Sequence, residues 1–376
     1  MSASGLVGAI RKKLPSRNTA LFWGTVFGGI GFYKYNKNES DRRLKYYCDQ
    51  AATVANQPIG ALDTVRKVHV YIAPPMGELG TRKARMHWEQ YILPVFAAGA
   101  LDYELTLVND TETVGDNEQV VRGGVHRMVA EEIKERRRRA LEAEEDSEEL
   151  RLWRQAIDQR NHDNEVREFK NLVGREPQEN VLGLWKPEAY PGVMDVVAIG
   201  RETWVEAVNG VSDGAVGSLN YTMPKLVKLD SEDNKDGKDA GGDELLADNA
   251  TAQVVIDYDR YGQGPEVELP AVAYISHYNL TGWGSLPRKI WNFFHDQQNV
   301  DLYSSQALRI VLESSKRPVH GVEELAQMGA AEEELPSWEG EPRMDVVVDE
   351  RVAARLFVYD TQEEQDRKSE QAAAAE

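Results

Sequence analysis

The chain has 376 residues, 41% hydrophobic and 28% charged, which is the composition of a globular protein long enough for two packed domains. Its 44 basic and 63 acidic residues give a net charge of −19, and a body so acidic excludes nucleic acid as a partner, because phosphate backbones require a basic face. The single cysteine, Cys48, excludes an intrachain disulfide framework and a cysteine zinc cluster. It leaves an idle buried thiol and a bridge to another chain both open.

The charge is unevenly spread. Six basic residues, Arg11, Lys12, Lys13, Arg17, Lys34 and Lys37, precede the first acid, Glu39. Removing them leaves 38 basic against 63 acidic residues, a net −25 over 39–376. That balance suits solubility and basic or chaperone-type partners. Residues 1–18 hold Arg, Lys and Ser without an acid, the composition of a mitochondrial targeting segment.

Residues 19–35 are expected to form a membrane helix. Their apolar run, TALFWGTVFGGIGFY at 19–33, is shorter than the ~20 residues of an ordinary span. Trp23, Tyr33 and Tyr35 supply interfacial aromatics, and Lys34 and Lys37 can snorkel. Gly24 and Gly28 have the small-xxx-small spacing that lets two membrane helices approach closely. The competing reading is a signal-peptide core, but Lys34-Tyr35-Asn36-Lys37 follows where a small-x-small cleavage site would stand. Positive charge on the N-terminal flank keeps that end inside. In a mitochondrion this places 1–18 in the matrix and the acidic body in the intermembrane space. Residues 36–63 are a polar stalk, helical near Arg42–Thr53.

An α/β domain is expected over 64–214. KVHVYIAPP at 67–75 is a strand stopped by Pro74-Pro75. A helix capped by Thr81 runs to about Ala98, with Ala84, Trp88, Tyr91, Ile92 and Val95 on one face and Gly99 at its end. DYELTLVND at 102–110 alternates as a second strand, and a long helix follows from about Val114. A charged helical insertion occupies about 125–180, read either as a solvated hairpin or as a partner-binding arm. Its basic cluster at 136–139 is followed by acids, so i to i+4 pairing can neutralise it. DVVAIG at 195–200 and the helix RETWVEAVNGV restore the rhythm of a doubly wound layer.

A β-rich second domain is expected over 215–360, with strands near 251–259, 266–276, 307–313 and 344–359. Between them lies a disordered acidic loop at 230–250, which echoes calcium-loop spacing without its flanking helices or correct end residues. The tail, 361–376, is charged and Ala-rich. Within SLPRKIWNFFHDQ, starting at Ser285, Arg288 and Lys289 flank bulky Trp291 and Phe294. This segment is expected either on a membrane surface or against a partner, or with its aromatics in the core.

No phosphate loop of the Walker type, HExxH, GxSxG or CxxC pair occurs, and the seven histidines show no i, i+4 ligand spacing. No catalytic, cofactor or metal site is therefore assigned. The stretch with a strand–turn–helix reading is Ile199-Gly200-Arg201-Glu202-Thr203 followed by WVEAVNG.

The run 67–211 resembles the catalytic domain of the diacylglycerol and acylglycerol kinases. There the nucleotide loop is Gly-Gly-Asp-Gly-Thr before a helix of the type LQEVVNG. The flanks match, but Ile199 and Glu202 replace two glycines and Arg201 replaces the aspartate. Bulk and negative charge then stand where phosphate must touch backbone, so the loop reads as degenerate. The whole chain resembles the family of 54-kilodalton subunits of the fungal mitochondrial carrier translocase. The likeness rests on RNTALFWGTVFGGIGFYKYNK, RKVHVYIAPPMGE, ARMHWEQYILPVFAAGALDYEL and LPRKIWNFFHDQ. That resemblance implies a non-enzymatic inner-membrane subunit without cofactors. It would stand beside a pore-forming subunit, among inner-membrane lipid, and receive small intermembrane-space chaperones that deliver carrier proteins. The kinase resemblance keeps open a lipid kinase or a lipid-binding pseudokinase.

Overall fold

The computed structural model describes residues 17–58, 65–73, 77–108, 124–145, 147–175, 192–224, 253–277, 286–333 and 345–360. Residues 1–16, Pro74-Pro75, the helix start near Val114, the acidic loop at 230–250 and the tail at 361–376 lie outside these. The chain divides into two compact units. One comprises Met1–Val125, Met194–Val208 and Pro270–Glu376, and the other His126–Val193 and Asn209–Leu269.

The first unit is built on a six-stranded sheet of order β2-β1-β3-β6-β8-β7. Its strands are β1 (Lys67–Ile72), β2 (Asp102–Leu107), β3 (Asp195–Ile199), β6 (Val272–Ile275), β7 (Lys316–Pro318) and β8 (Phe357–Tyr359). All neighbours are parallel except β7, which runs antiparallel to β8 at the edge. The register places Val70 beside Leu105 and Val197, and Val197 beside Ala273. β1, β3 and β6 are buried along nearly their whole length, the burial expected of parallel strands covered on both faces.

On one face Val68, Val70, Ile72, Val197, Ile199, Ala273 and Ile275 meet the helices. These are α1 (Arg17–Ala55), α2 (Gly77–His87), α3 (Leu93–Ala98), and, later in the chain, α8 (Gln297–Leu312). A five-residue π-helical stretch, Trp88–Ile92, joins α2 to α3. All five residues of the anticipated helical stripe, Ala84, Trp88, Tyr91, Ile92 and Val95, are buried in this core. At the N-terminal end of the sheet the carboxylate of Asp195 ties strands together. It accepts from Arg66 at 2.8 Å, from the Tyr359 hydroxyl at 2.8 Å and from the Ala271 amide at 3.1 Å.

The second unit carries α4 (Gly124–Glu144, from its third residue), α5 (Glu148–Val173) and a two-stranded antiparallel sheet, β4 (Tyr221–Pro224) and β5 (Gln253–Ile256). Helix α6 (Arg201–Val216) belongs to the first unit up to Val208 and to the second from Asn209. Of the basic cluster, Arg136 and Arg139 pair at i, i+4 with Glu132 and Glu135, acids that precede them, where the sequence points to the acids that follow. Arg137 and Arg138 are buried and donate to the carbonyls of Gly214, Gly217, Gln263 and Leu219.

Three expectations are corrected. β6, β7 and β8 join the first sheet instead of forming a separate β-rich domain over 215–360. Residues 307–312, expected as strand, lie in α8, because Val300, Tyr303, Ala307, Ile310 and Val311 bury one helical face. The stalk is not a separate element. α1 is one 39-residue helix, and its second half docks on α8 through Arg43 and Tyr47, which both bond to Asp301.

Candidate functional site

The order of the sheet reverses at β1, since β2 lies on one side of it and β3 on the other. In open α/β sheets, ligands bind beyond the carboxyl ends of the strands at such a reversal. Here Ala73 follows β1, Gly200 follows β3 and His277 lies two residues beyond β6. Gly200 has φ of +90°, which a residue with a side chain adopts only under strain, so the sharp passage from β3 into α6 needs glycine. Ile199 and Thr203 are buried, and the Thr203 hydroxyl accepts from the Ala73 amide at 3.1 Å, locking this turn to the end of β1.

The N-terminus of α6 is the place where a phosphate would sit in a nucleotide loop. A carboxylate of the chain sits there. Glu332, in the short helix α10 (Ala330–Glu333), accepts from the Arg201 amide at 2.9 Å and from the His277 amide at 2.5 Å, and the Tyr274 hydroxyl donates to it. The Arg201 side chain turns the other way. It donates to the carbonyls of Met328 at 2.6 Å and Ala326 at 2.8 Å, at the C-terminal end of α9 (Val322–Gln327). Trp204 adds a bond from its indole to the Leu325 carbonyl at 3.1 Å. The residues do not fit a triphosphate. The amide that would bind it is held by Glu332, the arginine in the loop is engaged with backbone, and Glu202 adds negative charge.

Behind the turn, His277 and His87 face each other with ring centroids 5.4 Å apart. Among the described residues, neither ring nitrogen of His277 has a hydrogen-bond partner, nor does Nδ1 of His87. Burial, and then the neighbouring His87 and Lys83, push His277 down to about 3. Burial and then Lys83 push His87 down to about 4. Both rings are therefore neutral at physiological pH. Sequence inspection flagged these histidines only as scattered, and it missed Glu332, which stands in an unremarkable acidic run. No local signal links Glu332 to an amide 131 residues away.

A second feature involves the residues expected to meet a membrane or partner. Helix α7 (Leu286–Phe294) has no buried residue. Leu286, Ile290, Trp291 and Phe293 are each about half exposed, as are Leu21, Phe22, Trp23, Phe27 and Ile30 of α1. α7 lies on α1: Phe293 stacks on Tyr33 at 5.3 Å and 14°, and Phe294 meets Phe32 at 6.0 Å. The structure thus brings Gly28, Trp291 and Phe294 to one open groove. Among the described residues, nothing lies within 4 Å of a Cβ added at Gly24 or Gly28. Arg288 is exposed and Lys289 half-buried on the same helix. Among the described residues no helix is long and apolar enough to cross a membrane.

Comparison with known proteins places this chain among relatives. The family profile described as "Inner membrane protein import complex subunit Tim54" matches residues 3–359. The mitochondrial import inner membrane translocase subunit tim54 of Schizosaccharomyces pombe is 24% identical over 82% of this chain and 80% of its own length. Its namesake in Candida albicans is 26% identical over 94% of this chain and 95% of its own. That of Saccharomyces cerevisiae is 21% identical over 95% and 93%.

Proposed function

The chain belongs to the Tim54 family of inner membrane protein import complex subunits, and on that premise we propose that it is a non-enzymatic scaffold. In this reading it holds a large acidic domain beside the pore-forming subunit, where small intermembrane-space chaperones deliver multispanning carrier proteins. Residues 19–35 cross the inner membrane once with the N-terminus in the matrix. Gly24 and Gly28, where an added Cβ would meet no atom of the described residues within 4 Å, offer a neighbouring membrane helix a close approach.

The observation that carries the non-enzymatic reading is the Glu332 carboxylate on the Arg201 amide. An internal anion at the N-terminus of α6 competes with any phosphate by charge and by occupancy. The α/β domain then has the layout of a lipid kinase with its loop closed by its own side chain. The alternative, a working lipid kinase or a lipid-binding pseudokinase, draws on the glycine turn at the strand reversal.

The test is to solubilise mitochondria in mild detergent and recover the chain by a C-terminal tag. A multispanning pore subunit and small twin-cysteine chaperones are expected with it. Recovery of the chain alone would overturn the scaffold. Calorimetry of the purified chain with ATP and magnesium is expected to give no heat of binding, and saturable binding would restore the kinase reading.

A further inference from the structure

The apolar run 19–33 rises only about 22 Å as a helix, against a hydrocarbon core of about 30 Å. Helix α7 lies at the C-terminal end of that run, because its contacts are to Phe32 and Tyr33. Its exposed residues Leu286, Ile290 and Phe293 fall at i, i+4 and i+7, one helical face, and that face continues the exposed apolar surface of α1. So much contiguous apolar surface is rare on a protein surrounded by water. The groove between the two helices, about 590 Å³, is floored by Gly28 and Gly29 and walled by Phe32, Pro287, Ile290 and Trp291.

The charge around this face is opposite to that of the body. Lys34 is exposed one residue beyond Tyr33, Arg288 is exposed, and Lys289 lies close enough to Lys83 that, after burial, it is the next cause lowering the Lys83 ammonium. The neighbouring acids are engaged: Asp296, just before α8, accepts from the Tyr91 hydroxyl, and Asp301 on α8 accepts from Arg43. Cations, interfacial aromatics and an apolar face at one level are the anatomy of a helix lying in the membrane surface.

We propose that α7 is an in-plane membrane-surface helix that docks on anionic phospholipid. Its Ile290 and Phe293 enter the boundary of headgroups and acyl chains, while Lys34, Arg288 and Lys289 meet the phosphates. An interfacial helix sinks about 5–10 Å, close to what the short run of α1 lacks. The inference rests on reading 19–35 as the membrane segment.

The test uses the full-length chain carrying Cys48→Ala and Ile290→Cys, with an environment-sensitive fluorophore on the new thiol. It is reconstituted into phosphatidylcholine vesicles with and without phosphatidylglycerol. Blue-shifted emission, quenched by a spin label carried at shallow depth on the lipid, is expected with the anionic vesicles. A matching label placed by Gln298→Cys on α8 is expected to stay solvent-like. Arg288→Gln with Lys289→Gln should lower the docked fraction about tenfold or more. A chain that floats with vesicles while position 290 stays in water overturns the inference and leaves the anchor standing. A chain that floats with no vesicle overturns the anchor and the inference together. A blue shift without quenching from the lipid means that a second copy covers the face, and also overturns it.

Discussion

At the scale of the residue, Glu332 and the histidine pair decide what the strand ends can do. Glu332→Gln keeps the shape but removes the charge that three donors share. A loss of about 3 kcal/mol is expected, since bonds to a charged acceptor are worth about 1.5–3 kcal/mol each and are partly retained by the amide. Chemical denaturation measures it. Sulfate should then raise the melting temperature of the variant and not that of the parent, because the α6 N-terminus has lost its internal anion. Equal effects of sulfate on both would count against that role. The histidines give the fold a pH dependence. His277 and His87 stay neutral in the folded chain down to about 3 and about 4, while in the unfolded chain they protonate near 6.5. The unfolded state therefore binds more protons below that value. The stability these rings contribute is complete above 6.5 and is lost as pH falls toward 4, at a rate on the order of 1 kcal/mol per pH unit for each ring. The melting temperature is expected to drop between pH 6.5 and 4.5, and His277→Phe should flatten that slope.

At the scale of the element, two helices in the second unit are held together by glycine. A Cβ at Gly210 would lie 2.7 Å from the His126 carbonyl oxygen, and one at Gly214 would lie 2.8 Å from Cβ of Ile133. α6 and α4 thus approach backbone to backbone. Gly210→Ala would gain about 1 kcal/mol of helix propensity in isolation. Here it is expected to destabilise by about 1–3 kcal/mol, because backbone has to move. A melting temperature at or above that of the parent would mean that the helices separate freely. The stretch VNG within RETWVEAVNGV was legible in the sequence as helix, but what its glycine is for became visible only with α4 beside it. The aromatic stripe of α2 and α3 was fully legible, because its 3.6-residue period records which face is buried.

At the scale of the whole molecule, α1 has two regimes. From Leu21 to Tyr35 its side chains are exposed or only partly covered, whereas Asn36, Ser40 and Ala51 are buried and Leu44, Tyr47 and Cys48 pack on the core. A chain lacking 1–33 is expected to fold with the denaturation midpoint of the parent. One lacking 1–56 is expected to lose several kcal/mol, through the buried Ala51 and the links of Arg43 and Tyr47 to Asp301. If both truncations unfold alike, the exposed segment contributes to the fold in a way its accessibility does not suggest. Burial also pushes the Cys48 thiol above its ordinary value, so it is a poor thiolate at neutral pH.

The sequence by itself determined what short-range pattern can record. It specified an uncharged run at the N-terminus, the order of β1, β2 and β3 with their helices, the turn at Gly200, and a likeness extending over nearly the whole chain. Only the tertiary structure decided which distant segments meet. A parallel strand buried on both faces carries no alternation to name its neighbour, so β6 joined the first sheet unannounced, with β8 and the antiparallel edge strand β7 beyond it, and a helix at 307–312 passed for a strand. The same limit hid the closing of the turn. Arg201 and Glu332 are 131 residues apart, and nothing in the period or composition of either segment encodes a bond that only the completed sheet brings within reach.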